Sequence, residues 1–152
     1  MKLKLFSRLT LGIMAFVFFI CSSQSSWAQN LNLKLKVTNV KSAKGDILVA
    51  VYDSEDNYQI IERAIEKLVI SAESPEITIE LSLQKNEYAI VLLHDENSNK
   101  VCDVNFFGIP KEGVGFSNGA RPVFSAPAFN DVKFRLDQSM STAIELIYMA
   151  KG

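Results

Sequence analysis

The chain has 152 residues, with 16 Lys and Arg against 17 Asp and Glu, one His and two Cys. That length gives room for one domain rather than two. The balanced charge, with no basic stripe, excludes the clustered cations that a nucleic-acid binder needs for phosphate.

An export signal comes first in chain order. Lys2, Lys4 and Arg8 precede an uncharged, mostly apolar run from Leu9 to Cys21, and Ser26-Trp27-Ala28 supplies small residues on both sides of Trp27. A basic start, a short apolar centre and a small-residue exit form a secretory leader. Cleavage after Ala28 leaves one domain, residues 29–152, with 13 basic and 17 acidic side chains, a net charge of −4. A lipid anchor at Cys21 would require a small residue before it, and Ile20 stands there. No later segment approaches the ~20 apolar residues of a transmembrane helix. The expected location is periplasmic or secreted. Cys102 is then the one remaining thiol and has no internal disulfide partner. The domain must be held by its own core or a bound ion, and about 120 residues suffice for a core.

Leu31, Leu33, Leu35 and Val37 alternate with polar residues, the period of a strand with one wet face. Asp46–Tyr52 is a second strand, with Ile47, Val49 and Val51 on one face. Tyr58–Glu66 carries Ile61, Ala64 and Ile65 at helical spacing and predicts one or two helical turns. Leu68–Ala72 reads as a short strand, ended before Pro75, which cannot donate into a ladder. Ile77, Ile79, Leu81 and Leu83 alternate again. Tyr88–Leu93 is an apolar, central strand. Val132, Phe134 and Leu136 form one more, and Ile144, Leu146 and Tyr148 share a face of the last. Seven short strands without crossover helices predict an all-β fold. The expected form is an antiparallel seven-stranded two-sheet sandwich of Ig-like or transthyretin-like type, with one long ordered loop and at most one short helix. Leu83-Gln84-Lys85-Asn86-Glu87-Tyr88 resembles the Leu-x-Pro-Gly-x-Tyr turn of transthyretin-like and collagen-adhesin B-type sandwiches, with Lys85 and Asn86 in place of Pro and Gly. A Tyr at such a corner packs its ring and bonds backbone through its hydroxyl.

Asp95–Asn130 shows no strand-like period, and a structureless stretch that long is functional or disordered. Its composition opposes disorder: Phe106, Phe107, Phe116, Phe124 and Phe129 lie in it, with four glycines and three prolines. An ordered loop folding over one end of the sandwich is expected, with Phe106, Phe107, Phe116, Ser117, Asn118 and Phe129 as its interaction residues.

The start of the loop carries oxygen side chains at Asp95, Asn97, Asn99 and Asp103, and a carbonyl at Val101. Counted from Asp95 these are positions 1, 3, 5, 9 and 7 of an EF-hand-type calcium loop, where alternate residues point hard oxygens inward. Lys100 replaces the Gly of position 6 and Phe106 the bidentate Glu of position 12, so Glu112 or Glu96 would have to substitute. Two alternatives stay open: a series of Asx turns, in which Asp and Asn oxygens cap their own backbone, and a transition metal using His94 or Cys102. An enzymatic reading is drawn from His94 with Asp95, Cys102, Glu112 or Ser117. It has no nucleophile elbow around Ser117, and consecutive His94 and Asp95 on a strand end point to opposite faces.

The run from His94 to Asn99, then Asp103, then Gly108-Ile109-Pro110-Lys111-Glu112-Gly113-Val114-Gly115-Phe116-Ser117-Asn118 resembles the signature of a bacterial domain-of-unknown-function family of small exported proteins. Tyr88-Ala89-Ile90, Gly45 to Asp53 and Pro127-Ala128-Phe129 fit it too, so the resemblance covers most of residues 31–148. It implies an exported β-sandwich and no particular activity; members usually carry Gly where Lys100 stands. The expectation is an exported, non-enzymatic binding module whose partner is a protein, glycan or envelope component. A small hydrolase or metal-dependent enzyme, and a purely structural envelope protein, are the alternatives.

Overall fold

The computed structural model describes residues 30–149 apart from Ser74 and Phe124; the expected leader lies outside the described residues. Eight strands form in chain order: β1 Leu31–Thr38, β2 Asp46–Tyr52, β3 Glu66–Ser71, β4 Ile77–Leu83, β5 Asn86–Asp95, β6 Gly113–Phe116, β7 Phe134–Leu136 and β8 Met140–Glu145. They make two sheets, one ordered β4-β1-β8 and the other β3-β2-β5-β6, with β7 also paired to β5. One α-helix, α1 Phe129–Val132, and three 3₁₀ turns are the helical content of the described residues.

The alternating strands behave as their period requires. Leu33, Leu35 and Val37 of β1 sit beside Leu81, Ile79 and Ile77 of β4, and all six are buried. Ile47, Val49 and Val51 of β2, with Ile90 and Leu92 of β5, meet them from the second sheet and close the main core. Tyr88 turns the corner after β4 as expected: its ring is buried in that core and its hydroxyl donates to the Gln84 carbonyl at 2.9 Å.

Three expectations need correction. The sandwich is not wholly antiparallel, because β8 runs parallel to β1, with Leu35 opposite Thr142 and Val37 opposite Ile144. Alternation fixes which side chains face inward but carries no strand direction, and a long connection permits parallel pairing. There are eight strands rather than seven, because β6 lies inside the stretch expected to be one loop. Gly113 and Gly115 conceal its period. Both are required by packing: an added Cβ would lie 2.6 Å from the Tyr148 ring at Gly113 and 2.9 Å from Ile144 Cγ2 at Gly115. Val132 closes α1 rather than opening β7, since the Asp131 carboxylate accepts the Ala128 N–H and starts a helical turn there.

Candidate ligand-binding site

β2 and β5 are apolar on both faces. Their odd-numbered β2 side chains fill the sandwich, so Leu48, Ala50 and Tyr52 must point outward. Register carries this outer face across the sheet. Val69, Leu48, Leu93 and Val114 make one row, and Lys67, Ala50, Val91 and Phe116 the next. At the β6 end the rows are roofed: Val114 and Phe116 pack with Phe129 and Val132 in a second apolar cluster. At the β3 end they are open, and Val69 is 57% exposed.

Between this floor and the loops above it lies a cavity of about 680 Å³. Leu48, Ala50, Val91 and Leu93 pave it. Phe107, Ile109 and Pro110 form one wall, Pro122, Val123 and Ala126 another, and Met149 joins them from the chain end. A cavity of this size, walled mostly by apolar side chains, is the ordinary form of a small-molecule site. A continuous apolar run signals a strand covered on both faces. Ile47–Tyr52 and Tyr88–Leu93 are such runs, a signal from which this floor could have been inferred.

The wall bearing Phe107 is a small hairpin. Val104 bridges Pro110, the Lys111 N–H donates to the Asp103 carbonyl at 2.8 Å, and the Asn105 N–H donates to the Ile109 carbonyl at 2.8 Å. Asn105 Oδ1 then accepts the N–H groups of Phe107 and Ile109 at 2.9 and 3.0 Å. Asn105 belongs to no motif in the sequence, yet it fixes the turn that presents two aromatic rings. Phe106 is 97% and Phe107 81% exposed, and their rings meet edge to face at 5.5 Å.

The proposed interaction residues therefore separate. Phe106 and Phe107 reach the surface, whereas Phe116 and Phe129 are buried in the second cluster. Ser117 is buried too: its Oγ accepts the Ile90 N–H at 2.9 Å and donates to the Val132 carbonyl at 2.6 Å. Asn118 is exposed, takes a left-handed conformation (φ 58°) and donates from its amide to the Asp131 carbonyl.

Beneath the hairpin, the oxygens of the expected calcium loop converge on backbone amides. Asp95 is fully buried; its two oxygens accept the N–H groups of Asn99 and Lys100 at 3.1 and 2.7 Å. Asn97 Oδ1 accepts the Asn99 N–H and Asn99 Oδ1 the Val101 N–H, while both amide groups donate to Asp103 Oδ2. Lys100 adopts φ 62°, the left-handed turn that Gly makes at lower cost. Glu112 arrives from beyond the hairpin and accepts the N–H groups of Glu96 and Asp103 at 3.2 and 3.1 Å, stapling the two ends of the loop. Burial pushes its carboxyl above the usual range, and the charges of Asp95 and Asp103 add to that. Among the described residues, no group of three or more His, Cys, Asp or Glu is placed to hold a metal ion.

Of the residues of the enzymatic reading, His94, Asp95 and Ser117 all hold hydrogen bonds within the fold. His94 is fully buried on the inner face; Nδ1 lies 2.6 Å from the Tyr148 hydroxyl and Nε2 2.9 Å from the Lys44 carbonyl. Asp95 and Ser117 are committed to the backbone contacts above. Cys102 is a free, exposed thiol at the cavity wall, pushed above its usual range by partial burial, then by Glu112 and Asp103.

The residues from His94 to Asn118 thus run from the end of β5, through the stapled loop and hairpin, into β6 and the turn after it. The model of a family described as an uncharacterized protein conserved in bacteria (DUF2141) matches residues 35–144, most of the chain. The chain belongs to this family. No curated protein and no solved structure matches it. The DUF2141 match begins inside β1 and ends inside β8, so it spans both sheets, the loop and all of the cavity lining but Met149. No helix among the described residues is long and apolar enough to cross a membrane.

Proposed function

We propose that this DUF2141 chain is an exported, non-enzymatic binding module that takes a small molecule with an apolar body, a component of the cell envelope, into the cavity over β2 and β5. The observation that carries the reading is the cavity itself: about 680 Å³, floored by Leu48, Ala50, Val91 and Leu93 and walled by the Phe107 hairpin. A partly exposed apolar floor costs free energy in water, and a bound ligand offsets it. The lining argues against a glycan, whose hydroxyls need many polar partners. Export rests on the leader pattern of residues 1–28. The non-enzymatic reading is supported by the commitment of His94, Asp95 and Ser117 to structural hydrogen bonds. We assign the sandwich to the Ig-like or transthyretin-like type on its two-sheet form and its Tyr88 corner.

Titration with N-phenyl-1-naphthylamine, an uncharged probe that fluoresces in apolar sites, tests this. The wild type should saturate with enhanced emission. Leu48→Trp, which puts a larger ring over a half-buried residue of the cavity floor, should abolish the signal with the fold retained. Equal emission from both proteins would overturn the reading.

A second reading adds a calcium ion to the loop from Asp95 to Asp103. The observation favouring it is Glu112, a remote carboxylate brought to the loop in the role that Phe106 does not fill. Asn97, Asn99 and the Val101 carbonyl would complete the oxygen set. Calcium added to millimolar concentration should then raise the melting temperature of the wild type and not of Asp103→Ala; no shift in the wild type removes the ion from the account.

A further inference from the structure

The cavity has a charge pattern as well as an apolar floor. Among the described residues that line it, the charged ones are Lys67 and Lys100, and no Asp or Glu is included. The two lysines come from different elements. Lys67 lies on β3 in the row of Ala50, Val91 and Phe116, at the open end of the sheet. Lys100 is held by the Asp95 carboxylate through its backbone N–H, which fixes where its side chain leaves the loop. Neither ammonium takes part in any ion pair among the described residues, as is also true of Lys34, Lys41, Lys44 and Lys111. Both are exposed residues of the lining, whereas the floor residues Leu48, Ala50, Val91 and Leu93 are buried or half-buried.

We propose that the ligand is a free, single-chain amphiphile with an anionic head, a carboxylate of the fatty-acid class, whose chain lies over Leu48, Ala50, Val91 and Leu93 and whose head meets Lys67 and Lys100. The inference rests on the cavity reading above and adds the sign and place of the head group. An alkyl chain gains by leaving water in proportion to the apolar area covered. The carboxylate gains charge-assisted hydrogen bonds from lysines that have no competing partner. Because both lysines are exposed, solvent and salt weaken that gain, and its size is that of a surface ion pair.

Calorimetric titration of the purified protein with decanoate, its methyl ester and decylamine separates chain from charge. Decanoate should bind about three- to fivefold more tightly than the ester, and decylamine more weakly than either. The advantage of decanoate should shrink in high salt and vanish in the Lys67→Gln/Lys100→Gln double variant, with ester binding unchanged. Equal affinity for decanoate and ester in the wild type would overturn the anionic-head assignment while leaving the cavity reading in place. Failure of all three ligands and of the uncharged probe would overturn both. Sedimentation with phosphatidylglycerol vesicles, without competition by free decanoate, would instead indicate a membrane surface as the source of the anion and contradict the free-amphiphile proposal.

Discussion

The buried His94 ring and the half-buried Tyr148 pair through Nδ1 and Oη at 2.6 Å, and the pair fixes a tautomer. The Lys44 carbonyl at 2.9 Å can only accept, so Nε2 carries the ring proton and Nδ1 accepts from Tyr148. The Tyr148 oxygen in turn accepts the Lys41 N–H at 3.2 Å. Tyr148 can lie there because Gly113, opposite His94 in register, has no side chain. Removing the hydroxyl orphans a buried nitrogen. Tyr148→Phe should therefore lose about 1–3 kcal/mol of stability in urea unfolding, with the fold retained. An unchanged midpoint would show that the pair contributes nothing.

Gly45 holds a second fixed approach. It adopts φ 70°, its carbonyl accepts the Ala72 N–H, and an added Cβ would overlap the Asp95 carbonyl. Both the backbone conformation and the space demand glycine, so Gly45→Ala should cost at least about 2 kcal/mol. Because Asp95 anchors the stapled loop, amide exchange should rise most from Asp95 to Asp103. A loss of stability without faster exchange there would separate Gly45 from the loop.

Glu112 gives a pH dependence whose sign is set by its environment. Its carboxyl is raised above 4.5, first by burial and then by Asp95 and Asp103, against the opposing hydrogen bonds from the Asp103 and Glu96 N–H groups. The folded protein therefore holds this proton more tightly than the unfolded chain. The contribution is fully present below pH 4.5 and is lost as pH rises through the folded value. Glu112→Gln keeps one acceptor where two N–H groups need two. It should destabilise by about 1–3 kcal/mol at neutral pH, and its deficit should be larger at acidic pH, where wild-type Glu112 is protonated. Thermal melts of both proteins across acidic to neutral pH test this; a deficit that grows as pH rises would contradict it.

Cys102 reports on the cavity wall. Its thiol is pushed above 9.0 by partial burial, with Glu112 and Asp103 adding to the shift. Since the thiolate is the nucleophile, alkylation by iodoacetamide should be slower at neutral pH than for a free cysteine, with a rate midpoint above 9.0. Saturating decanoate should slow it further. A midpoint at or below 9.0 would contradict the environment described for this thiol.

The sequence made much of this legible. Strict alternation placed β1 and β4 and their buried faces, because a strand with one wet face writes its geometry into a period of two. Tyr88 was read as a structural corner on the turn around it. The ends of the Asp95 loop were also legible, since Asp and Asn at alternate positions bind backbone N–H groups. Other features were hidden for physical reasons. Gly113 and Gly115 lack the side chains that would have displayed the period of β6. The parallel pairing of β8 with β1 depends on a long connection whose path no local pattern encodes. The cavity was hardest to read. Its floor is visible only as the missing alternation in β2 and β5, and its lysines are 33 positions apart in sequence. Asn105 resembled any polar loop residue until the hairpin placed its oxygen on two N–H groups.

The central claim is that the outer face of β2 and β5 is a ligand site. The most direct measurement is the map of backbone ¹H–¹⁵N shift changes on titrating the protein with decanoate. The account predicts that the changes concentrate at Leu48, Ala50, Val91, Leu93 and the Phe107–Ile109 wall, and that β1 and β4 on the opposite sheet stay unmoved. No change at Leu48, Ala50, Val91 and Leu93, or changes confined to the wet face of β1 and β4, would contradict it.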